Sequence, residues 1–525
     1  MSHQDQFLSM RTVGIGIDLG SSSFRIGVFD SETDELIEQE SHKVGYLYYK
    51  DNIFTQSTHD IIKAIDVTFA RLKLSNFNVR SIGVAATCSM VVGKQDGNNL
   101  IPTHIYEDFK TDNCQDVLFW MHSAARKETM YLNKTVDNRV LSFFGGKFFP
   151  EMAIPKLLML SKIKLRNELT VIDLHRWLLW IVCLKLDYDV NLPVNVVNSN
   201  GIGHDGELFG WKSDFYDKLN LDGIFIGNNN AIDSKISIGD SCIDCYSSWF
   251  PTIKKETLNN ALFAIAGTST CFLYATDKTE RFFNGIWGPF KDILFNRDHH
   301  QSIDPFSVYE SGISKTGLLL EQLLLEHPVS KSTEGDILGL IEKEIQLIEK
   351  KENTSIHTLV NELYYEEDAA CNESPFIKQN KNGISRQPYN DDFRDITLKY
   401  IVIVETLAFQ IADVIQVFRD NNLHINTFVI VGSQAKNKRM LSVLKSLCKN
   451  LELWSTQGNE DKIGVKGAYL LGKSRSNNES LIHSLASSSE KLTRIDVSLK
   501  ISAKTTSLLE QKYLIYKSLV NTKMR

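Results

Sequence analysis

The sequence predicts an α/β fold with two domains, and three observations support this prediction. The chain has 525 residues, which is enough for two or more domains that each bury a core of their own. Two apolar strands joined by a polar turn begin near Val13, and alternating helix and strand patterns follow them. A second apolar strand begins near Leu262 and runs into a Gly/Thr-rich loop, which indicates that the unit is duplicated.

The composition narrows the classes of protein that the chain can represent. Hydrophobic residues make up 42% of the chain, charged residues 23% and aromatic residues 10%, which is typical of a globular protein. Lys and Arg number 58 against 64 Asp and Glu, so the formal net charge is −6. A surface with this balance is not suited to neutralising nucleic-acid phosphates, and we expect no nucleic-acid partner.

The first residues and the most apolar segment predict the location of the protein. Residues 1–11 lack the apolar region of a signal peptide and the repeated arginines of a transit sequence, so a cytoplasmic location is predicted. The eight cysteines are dispersed along the chain, which indicates reduced thiols. Residues 174–186 are shorter than the roughly 20 residues that span a bilayer. We therefore expect a buried helix there and no membrane partner.

Hydrophobic periodicity assigns the elements in order. Helical spacing is found at residues 61–72, 117–130 and 396–419, and buried-strand patterns are found at residues 82–87, 262–266 and 428–431. Residues 330–392 are polar and rich in charge, which predicts an elaboration of the second domain. We place the domains at residues 12–258 and 259–475, followed by a polar, basic helical tail at residues 476–525.

The loop between the first two strands combines a carboxylate with a turn rich in hydroxyl groups. It consists of Asp18, Leu19, Gly20, Ser21, Ser22 and Ser23, and Arg25 follows it. Backbone N–H groups in such a turn can hold phosphate, and a carboxylate can hold Mg²⁺ through water. From this loop alone, a plain hairpin turn with an Asx-type cap is an equally good interpretation.

The loop after the second apolar strand has a similar character. Gly267, Thr268 and Ser269 offer a flexible backbone and hydroxyl groups at the end of a strand. Alone this is a weak signal. Two such loops in separate α/β units favour a nucleotide that lies across a cleft.

Two other groups of potential ligands carry less information. Cys242 and Cys245 form a single CxxC, which is half of a zinc site at best. His299 and His300 are adjacent in a polar stretch and are predicted to be surface residues.

Several further segments complete a recognisable pattern. They are Ala86-Thr87-Cys88-Ser89, Phe144-Gly145-Gly146-Lys147, Pro150-Glu151-Met152, Pro155-Lys156-Leu157, Asn372 and Ser374-Pro375. Together with residues 13–30 and 266–271, they resemble the FGGY carbohydrate kinase family over residues 13–472, in its pentulose-kinase or ribulokinase-like branch. The resemblance implies two actin/hexokinase-like (ribonuclease H-like) domains with an interdomain catalytic cleft. It also implies ATP and Mg²⁺ as cofactors and a small sugar as the substrate.

The resemblance also implies roles for particular residues. Asp244 is the candidate catalytic base, and Asp18 is the candidate metal ligand and second catalytic residue. The sugar contacts implied by the resemblance are Thr87, Cys88, Ser89, Lys147, Glu151, Met152 and Asp244, although Cys88 and Met152 are equally suited to core packing. The nucleotide contacts are Gly20, Ser21, Ser22, Ser23, Arg25, Gly267, Thr268, Ser269, Gly312, Gly432, Ser433 and Asn437.

The chain departs from the family pattern at several positions. Ser433 and Gln434 follow a single Gly432 where the family has two or three consecutive glycines, which predicts weak nucleotide binding because positive φ and close approach favour glycine. Other departures are His122-Ser123-Ala124 in place of Asp-His-Arg, Met159 in place of tryptophan, and His175-Arg176 in place of Pro-Asp. These changes affect the expected sugar more than the expected chemistry.

We expect an ATP-dependent carbohydrate kinase that phosphorylates a pentulose such as D-ribulose, and a homodimer is one expected assembly. One alternative is a degenerate FGGY protein with a regulatory or interaction role. A second alternative is an actin-like or chaperone-like ATPase that has no sugar substrate.

Overall fold

The computed structural model describes residues 10–106, 111–162, 169–188, 190, 224–226, 239–290, 293–294, 306–364, 376–380, 383–456, 462–497, 499 and 501–523. His299, His300, Asn372, Ser374 and Pro375 therefore lie outside the described residues.

Strands and helices alternate along most of the chain. The strands are β1 (Arg11–Leu19), β2 (Ser23–Asp30), β3 (Leu36–Lys43), β4 (Leu47–Tyr49), β5 (Ile53–Gln56), β6 (Phe77–Ala86), β7 (Met90–Asp96), β8 (Asn99–Pro102), β9 (Val117–Leu118), β10 (Leu169–Asp173), β11 (Ile224–Ile226), β12 (Gly239–Ile243), β13 (Ala261–Ala266), β14 (Thr270–Thr276), β15 (Trp287–Phe290), β16 (Ser307–Ile313), β17 (Glu362–Tyr364), β18 (Phe376–Asn380), β19 (Gly383–Arg386), β20 (Thr427–Val431), β21 (Glu452–Thr456) and β22 (Leu492–Arg494). The helices are α1 (Thr58–Leu72), α2 (Arg126–Thr135), α3 (Asn138–Phe143), α4 (Ala153–Leu160), α5 (Leu174–Lys185), α6 (Asp244–Trp249), α7 (Gly317–Glu326), α8 (Pro328–Ser332), α9 (Ile337–Glu352), α10 (Ile356–Leu359), α11 (Phe393–Asp420), α12 (Lys438–Leu447), α13 (Ile463–Asn477), α14 (Leu481–Ser488) and α15 (Ala503–Lys523).

The chain forms two compact units, and each is assembled from separate stretches. The first comprises Met1–Asn259, Leu273–Ser311 and Gln457–Lys491, and the second comprises Asn260–Phe272, Gly312–Thr456 and Leu492–Arg525. This division differs from the continuous boundaries that the sequence predicts, 12–258, 259–475 and 476–525. The predicted tail in particular is shared between the two units.

The first unit holds a five-stranded sheet in the order β12-β6-β1-β2-β3. Strand β1 pairs antiparallel with β2 and parallel with β6, and β6 pairs parallel with β12. Alternate β1 residues Val13, Ile15 and Ile17 enter the core on one face. A second sheet in this unit has the order β11-β10-β7-β9-β5-β4, and β8 pairs with β7.

Glycines on the other face of the first sheet explain why α13 belongs to the first unit. A Cβ atom on Gly16 would lie 2.0 Å from the backbone oxygen of Val465, and a Cβ atom on Gly83 would lie 1.6 Å from the backbone oxygen of Ala468. The helix thus packs directly against the backbone of β1 and β6. Only glycine permits this close approach.

The second unit is built on strands in the order β13-β20-β21-β22. The β13–β20 and β20–β21 pairs are parallel, and β22 pairs antiparallel with β21. This last pair brings the C-terminal segment into the sheet, and α15 packs on α12. By length and composition α11 could cross a membrane, but 72% of its apolar window is buried inside the protein, as in a core helix.

Most of the predicted elements are present, but the helix predicted at residues 117–130 is wrong in its first half. Val117 and Leu118 form β9, which pairs with β5 and β7, and the helix starts at Arg126. The apolar run was compatible with either structure, and pairing with two strands that are distant in sequence decided between them.

Candidate active site

Asp18 lies near the carboxyl end of β1, where the strand register places it opposite Arg25. Arg25 Nη1 donates a hydrogen bond to Asp18 Oδ2 over 2.9 Å. Asp18 is buried, with 6% of its residue surface exposed. A Cβ atom on Gly464 would lie 2.5 Å from Asp18 Oδ2. The missing side chain at Gly464 therefore leaves the space that this carboxylate occupies.

The turn after Asp18 is a closed hairpin. Gly20 N donates to the backbone oxygen of Ser23 over 3.0 Å, so this amide is already engaged. Trp120 Nε1 donates to Ser21 Oγ over 2.9 Å, whereas Ser22 is exposed. The turn therefore offers hydroxyl groups and Arg25 to a ligand. The hydrogen bond from Trp120 holds the turn in this conformation.

Asp244 is the first residue of α6, directly after β12. Strands β1, β6 and β12 are parallel neighbours, with Leu19 and Ile243 each paired to Ala86. Their carboxyl ends therefore carry Asp18, Thr87 and Asp244 to one edge of the sheet. Burial, followed by the negative charge of Asp18, raises the pKa of the Asp244 carboxyl to about 7.

Two contacts fix the first turn of α6. The Tyr246 hydroxyl donates a hydrogen bond to Glu310 Oε2 over 2.9 Å, and Ser247 Oγ donates one to the backbone oxygen of Gly464 over 2.6 Å. Burial raises the pKa of Glu310 to about 8, and the Tyr246 hydrogen bond opposes this rise. Glu310 lies in β16, and no sequence signal linked it to the Asp244 helix.

The predicted sugar residues at the end of β6 form a small hydroxyl cluster. Thr87 and Ser89 are buried and their side-chain oxygens are 2.9 Å apart. Trp120 N donates to Ser89 Oγ over 2.9 Å, so Trp120 joins this cluster to Ser21. Cys88, which lies between them in sequence, is partly exposed.

The other predicted sugar residues precede α4 and have differing environments. Lys147 and Glu151 are exposed, and Lys147 Nζ lies 5.2 Å from the ring centre of Phe149. Met152 is buried, and its sulfur accepts a hydrogen bond from Phe149 N over 3.3 Å. The burial of Met152 agrees with the core-packing alternative.

A buried lysine supports the Trp120 segment. Lys156 is 1% exposed and its Nζ donates to the backbone oxygens of Phe119 and Trp120 over 3.0 and 3.1 Å. Burial lowers its pKa to about 8. The sequence marked Lys156 only as part of a resembling segment, and it gave no sign of the two carbonyl contacts.

His122 replaces an acidic residue of the branch pattern and is fully buried. Its Nδ1 accepts a hydrogen bond from Phe54 N over 3.3 Å, and its Nε2 lies 3.2 Å from the Tyr106 hydroxyl. Burial, followed by the charge of Lys156, lowers the pKa of His122 to about 3, so the imidazole is neutral. His122 thus supports the fold and carries no charge to a ligand.

In the second unit, Thr316 organises the predicted phosphate loop after β13. Thr316 Oγ1 donates to the backbone oxygen of Gly267 over 3.1 Å, and Thr316 N donates to that of Thr268 over 2.9 Å. Gly267 N donates to the backbone oxygen of Ser269 over 2.8 Å. Gly312, at the end of β16, is exposed.

The predicted nucleotide-binding turn after β20 contains a single residue at positive φ, Gly432. Gly432 has φ of +93°, and a Cβ atom there would lie 2.4 Å from the backbone oxygen of Ala266. Ser433 is exposed and begins a 3₁₀ turn, Ser433–Lys436. Asn437 caps α12, because its side chain accepts a hydrogen bond from Met440 N over 3.0 Å. The backbone conformation with positive φ is thus adopted by Gly432, the only glycine in this turn.

Of the two cysteines that flank Asp244, Cys242 has the properties of a packed thiol. Cys242 and Cys245 are both buried and neither forms a disulfide. Burial, followed by the charge of Asp240, raises the pKa of Cys242 well above its ordinary value. A thiol that stays protonated is a poor metal ligand and a poor nucleophile.

Comparisons with known proteins agree with this fold. The FGGY family of carbohydrate kinases, C-terminal domain, matches residues 262–457. The chain is 36% identical over 483 residues to the protein MPA43 of Saccharomyces cerevisiae, covering 88% of this chain and 86% of that protein. It is 25% identical over 527 residues to the D-ribulokinase YDR109C of the same yeast, covering 88% and 72%.

Solved structures show the same fold at low sequence identity. A glycerol kinase from Plasmodium falciparum with ADP has a TM-score of 0.63 at 12% identity, covering 98% of both chains. A xylulose kinase from Rhodospirillum rubrum has a TM-score of 0.62 at 10% identity, covering 97% of this chain and 98% of that one. These structures have the two-domain actin/hexokinase-like fold, which confirms the predicted fold class.

The family match and the kinase relatives define a phosphotransferase that acts on a hydroxyl group. The chain belongs to the FGGY family of carbohydrate kinases, in its ribulokinase-like branch. This confirms the resemblance read from the sequence, and membership implies that ATP is the phosphoryl donor.

Proposed function

We propose that the protein transfers the γ-phosphoryl group of ATP to a hydroxyl group of a small keto-sugar, a pentulose such as D-ribulose. The observation that carries the proposal is the convergence of Asp18, Thr87 and Asp244 at the carboxyl ends of three parallel strands. Relatives named ribulokinase in yeast and in Staphylococcus aureus support the choice of sugar.

Asp244 is the proposed general base. A carboxylate whose pKa is about 7 is half ionised at neutral pH and can accept a proton from a hydroxyl group that approaches it. The deprotonated oxygen then forms a bond to the γ-phosphorus as the bond to the ADP oxygen breaks. Tyr246 and Ser247 hold the helix turn that carries Asp244, which limits the motion of the base.

Asp18 is the proposed ligand of Mg²⁺. Its carboxylate supplies the oxygen atoms that Mg²⁺ prefers, and the glycine at position 464 leaves the space in which this carboxylate lies. When bound, Mg²⁺ neutralises charge on the phosphoryl oxygens. Arg25 fixes the orientation of the Asp18 carboxylate through the 2.9 Å hydrogen bond.

The remaining ligand contacts are proposed from the same pattern. The nucleotide contacts are Gly20, Ser21, Ser22, Ser23, Arg25, Gly267, Thr268, Ser269, Gly312, Gly432, Ser433 and Asn437. The sugar contacts are Thr87, Cys88, Ser89, Lys147, Glu151, Met152 and Asp244, of which Met152 is buried. The hydroxyl cluster of Thr87 and Ser89 supports the sugar assignment, because hydroxyl groups both donate hydrogen bonds to a sugar and accept them from it.

A coupled assay of ADP release tests the proposal against both alternatives. The purified protein is given MgATP and a panel of pentuloses, pentitols, heptuloses and glycerol. We expect turnover that requires a sugar and is fastest with a pentulose. Hydrolysis of ATP that does not depend on sugar contradicts the proposal and favours an ATPase. An absence of turnover with every sugar favours a regulatory protein, which is supported by the altered glycine turn at Ser433 and Gln434 and by His122-Ser123-Ala124 in place of the branch pattern.

A further inference from the structure

Gln434 in the second unit has a side-chain amide that is not fully satisfied. The residue is 8% exposed, and its Oε1 atom is buried with no hydrogen-bond partner among the described residues. Buried amide oxygens are nearly always hydrogen-bonded, because an unpaired buried acceptor loses its contacts with water. An orphaned atom of this kind indicates a missing ligand or a strained site.

The position of Gln434 distinguishes between these two explanations. Gln434 follows Gly432 by two residues, and its backbone oxygen accepts a hydrogen bond from Asn437 N over 3.1 Å. Its Nε2 atom would lie 3.3 Å from a Cβ atom on Gly317, and the same Cβ atom would lie 2.5 Å from the backbone oxygen of Gly267. The amide is thus directed at the junction of the β13 loop and the start of α7.

The surrounding backbone is firmly held without the help of this amide. Gly317 N donates to the backbone oxygen of Gly267 over 3.0 Å, and Leu318 N donates to that of Thr268 over 3.1 Å. Ala435 N donates to the backbone oxygen of Gly432 over 3.0 Å. These backbone hydrogen bonds hold the segments without using the side chain of Gln434.

We infer that Gln434 contacts the bound nucleotide and that its amide accepts a hydrogen bond from the nucleoside part. The inference rests on the proposed function. An amide oxygen requires a donor, which ionised phosphate groups lack, whereas the amino group of adenine and the ribose hydroxyl groups are donors. The terminal torsion of a glutamine is broad, so rotation about it can turn the oxygen towards the ligand.

This contact gives a physical reason for the departure from the glycine-rich turn. A glycine at position 434 brings only backbone to the nucleotide. The glutamine adds a side chain that can distinguish nucleotides by their donors, because a buried polar group rejects a ligand that leaves it unpaired. Gln434 is thus a residue that sets nucleotide specificity.

The test compares Gln434→Leu and Gln434→Met with a matched control. Gln410 in α11 is a second glutamine whose buried Oε1 has no partner in the described part of the chain, and it lies outside the predicted nucleotide residues. Calorimetry with ADP measures the affinity, and thermal unfolding without nucleotide measures the stability. We expect both Gln434 variants to bind ADP roughly 3- to 10-fold more weakly, the range of one hydrogen bond. Their melting temperatures without nucleotide should be equal to or above that of the wild type. The control Gln410→Leu should also have a melting temperature equal to or above that of the wild type, and it should bind ADP with wild-type affinity.

Nucleotide analogues identify the donor. If the adenine amino group is the donor, the wild type prefers ADP to IDP and Gln434→Leu loses this preference. If a ribose hydroxyl group is the donor, the preference against 2′-deoxy-ADP or 3′-deoxy-ADP is lost instead. Wild-type affinity for ADP in both Gln434 variants overturns the inference and leaves the proposed function intact. A lower melting temperature in both variants assigns the glutamine to the fold and also overturns the inference. If the wild-type protein binds no ADP, both the inference about Gln434 and the proposed function are overturned.

Discussion

Asp18 and Arg25 lie directly opposite each other in the β1–β2 pair, and a 2.9 Å hydrogen bond joins Arg25 Nη1 to Asp18 Oδ2. The same two strands hold a second pair at their other end, where Arg11 Nε donates to Asp30 Oδ2 over 2.7 Å. The hairpin therefore contains a buried carboxylate at the proposed site and a comparable, more exposed pair remote from it. This arrangement supplies a matched control for the first prediction.

Asp18→Ala should abolish turnover and leave the fold intact. The variant loses the proposed Mg²⁺ ligand, and the partly exposed Arg25 can regain contact with water. We expect kcat to fall by roughly 10²-fold or more, as for removal of a group that stabilises transition-state charge. Steady-state kinetics and thermal unfolding check this result. Asp30→Ala breaks the other Arg–Asp pair and should keep its activity; wild-type turnover in Asp18→Ala removes Asp18 from the site.

Asp244→Asn should separate binding from chemistry. The amide keeps the size and polarity of the side chain but cannot take a proton from the sugar. We expect kcat to fall by roughly 10²- to 10⁴-fold, the contribution of a positioned base, while calorimetry shows sugar and nucleotide binding unchanged. Cys242→Ser and Cys245→Ser alter the same segment and should remain active. Loss of activity in both serine variants, with an active Asp244→Asn, reverses the assignment.

The pH dependence of kcat/KM should contain an acidic limb that belongs to Asp244. Only the ionised carboxylate can act as a base, and burial with the nearby charge of Asp18 raises its pKa to about 7. Activity is therefore present above about pH 7 and falls about tenfold for each pH unit below it. A pH profile at saturating MgATP measures this limb. Activity that stays level down to pH 5 contradicts the role of Asp244, as does a residual activity of Asp244→Asn with the same limb.

Gly432→Ala should disrupt the turn after β20. The residue has φ of +93°, and the added methyl group would lie 2.4 Å from the backbone oxygen of Ala266. We expect a loss of stability of about 1–3 kcal/mol and a weaker affinity for ADP, measured by thermal unfolding and calorimetry. Ser433→Ala changes an exposed residue of the same turn and should leave the stability within about 0.5 kcal/mol. Equal stability of the two variants shows that the turn tolerates a side chain. The weak nucleotide affinity expected from the sequence stays a prediction.

The local features of the site were readable from the sequence. The strand and turn around Asp18 and the loop at Gly267 each consist of neighbouring residues with a characteristic pattern, whereas the helix that begins at Asp244 was not predicted. Such patterns reflect short-range backbone preferences and burial, which adjacent residues determine largely by themselves. The family was identified from the resemblance of these segments and of several others along residues 13–472.

The supports of the site were decided by the tertiary structure. Tyr246 meets Glu310, Trp120 meets Ser21, and Lys156 reaches the carbonyl groups of residues 119 and 120, with many residues between the partners in each case. No local pattern encodes such contacts, because each depends on which strands and helices become neighbours. The same reason accounts for β9, where pairing with β5 and β7 overrides a helical pattern. It also accounts for α13, which packs on the first unit because Gly16 and Gly83 let it approach the backbone of β1 and β6. The sequence by itself therefore determined the family and most of the local elements. Long-range packing decided to which of the two units each element belongs and which contacts hold it in place.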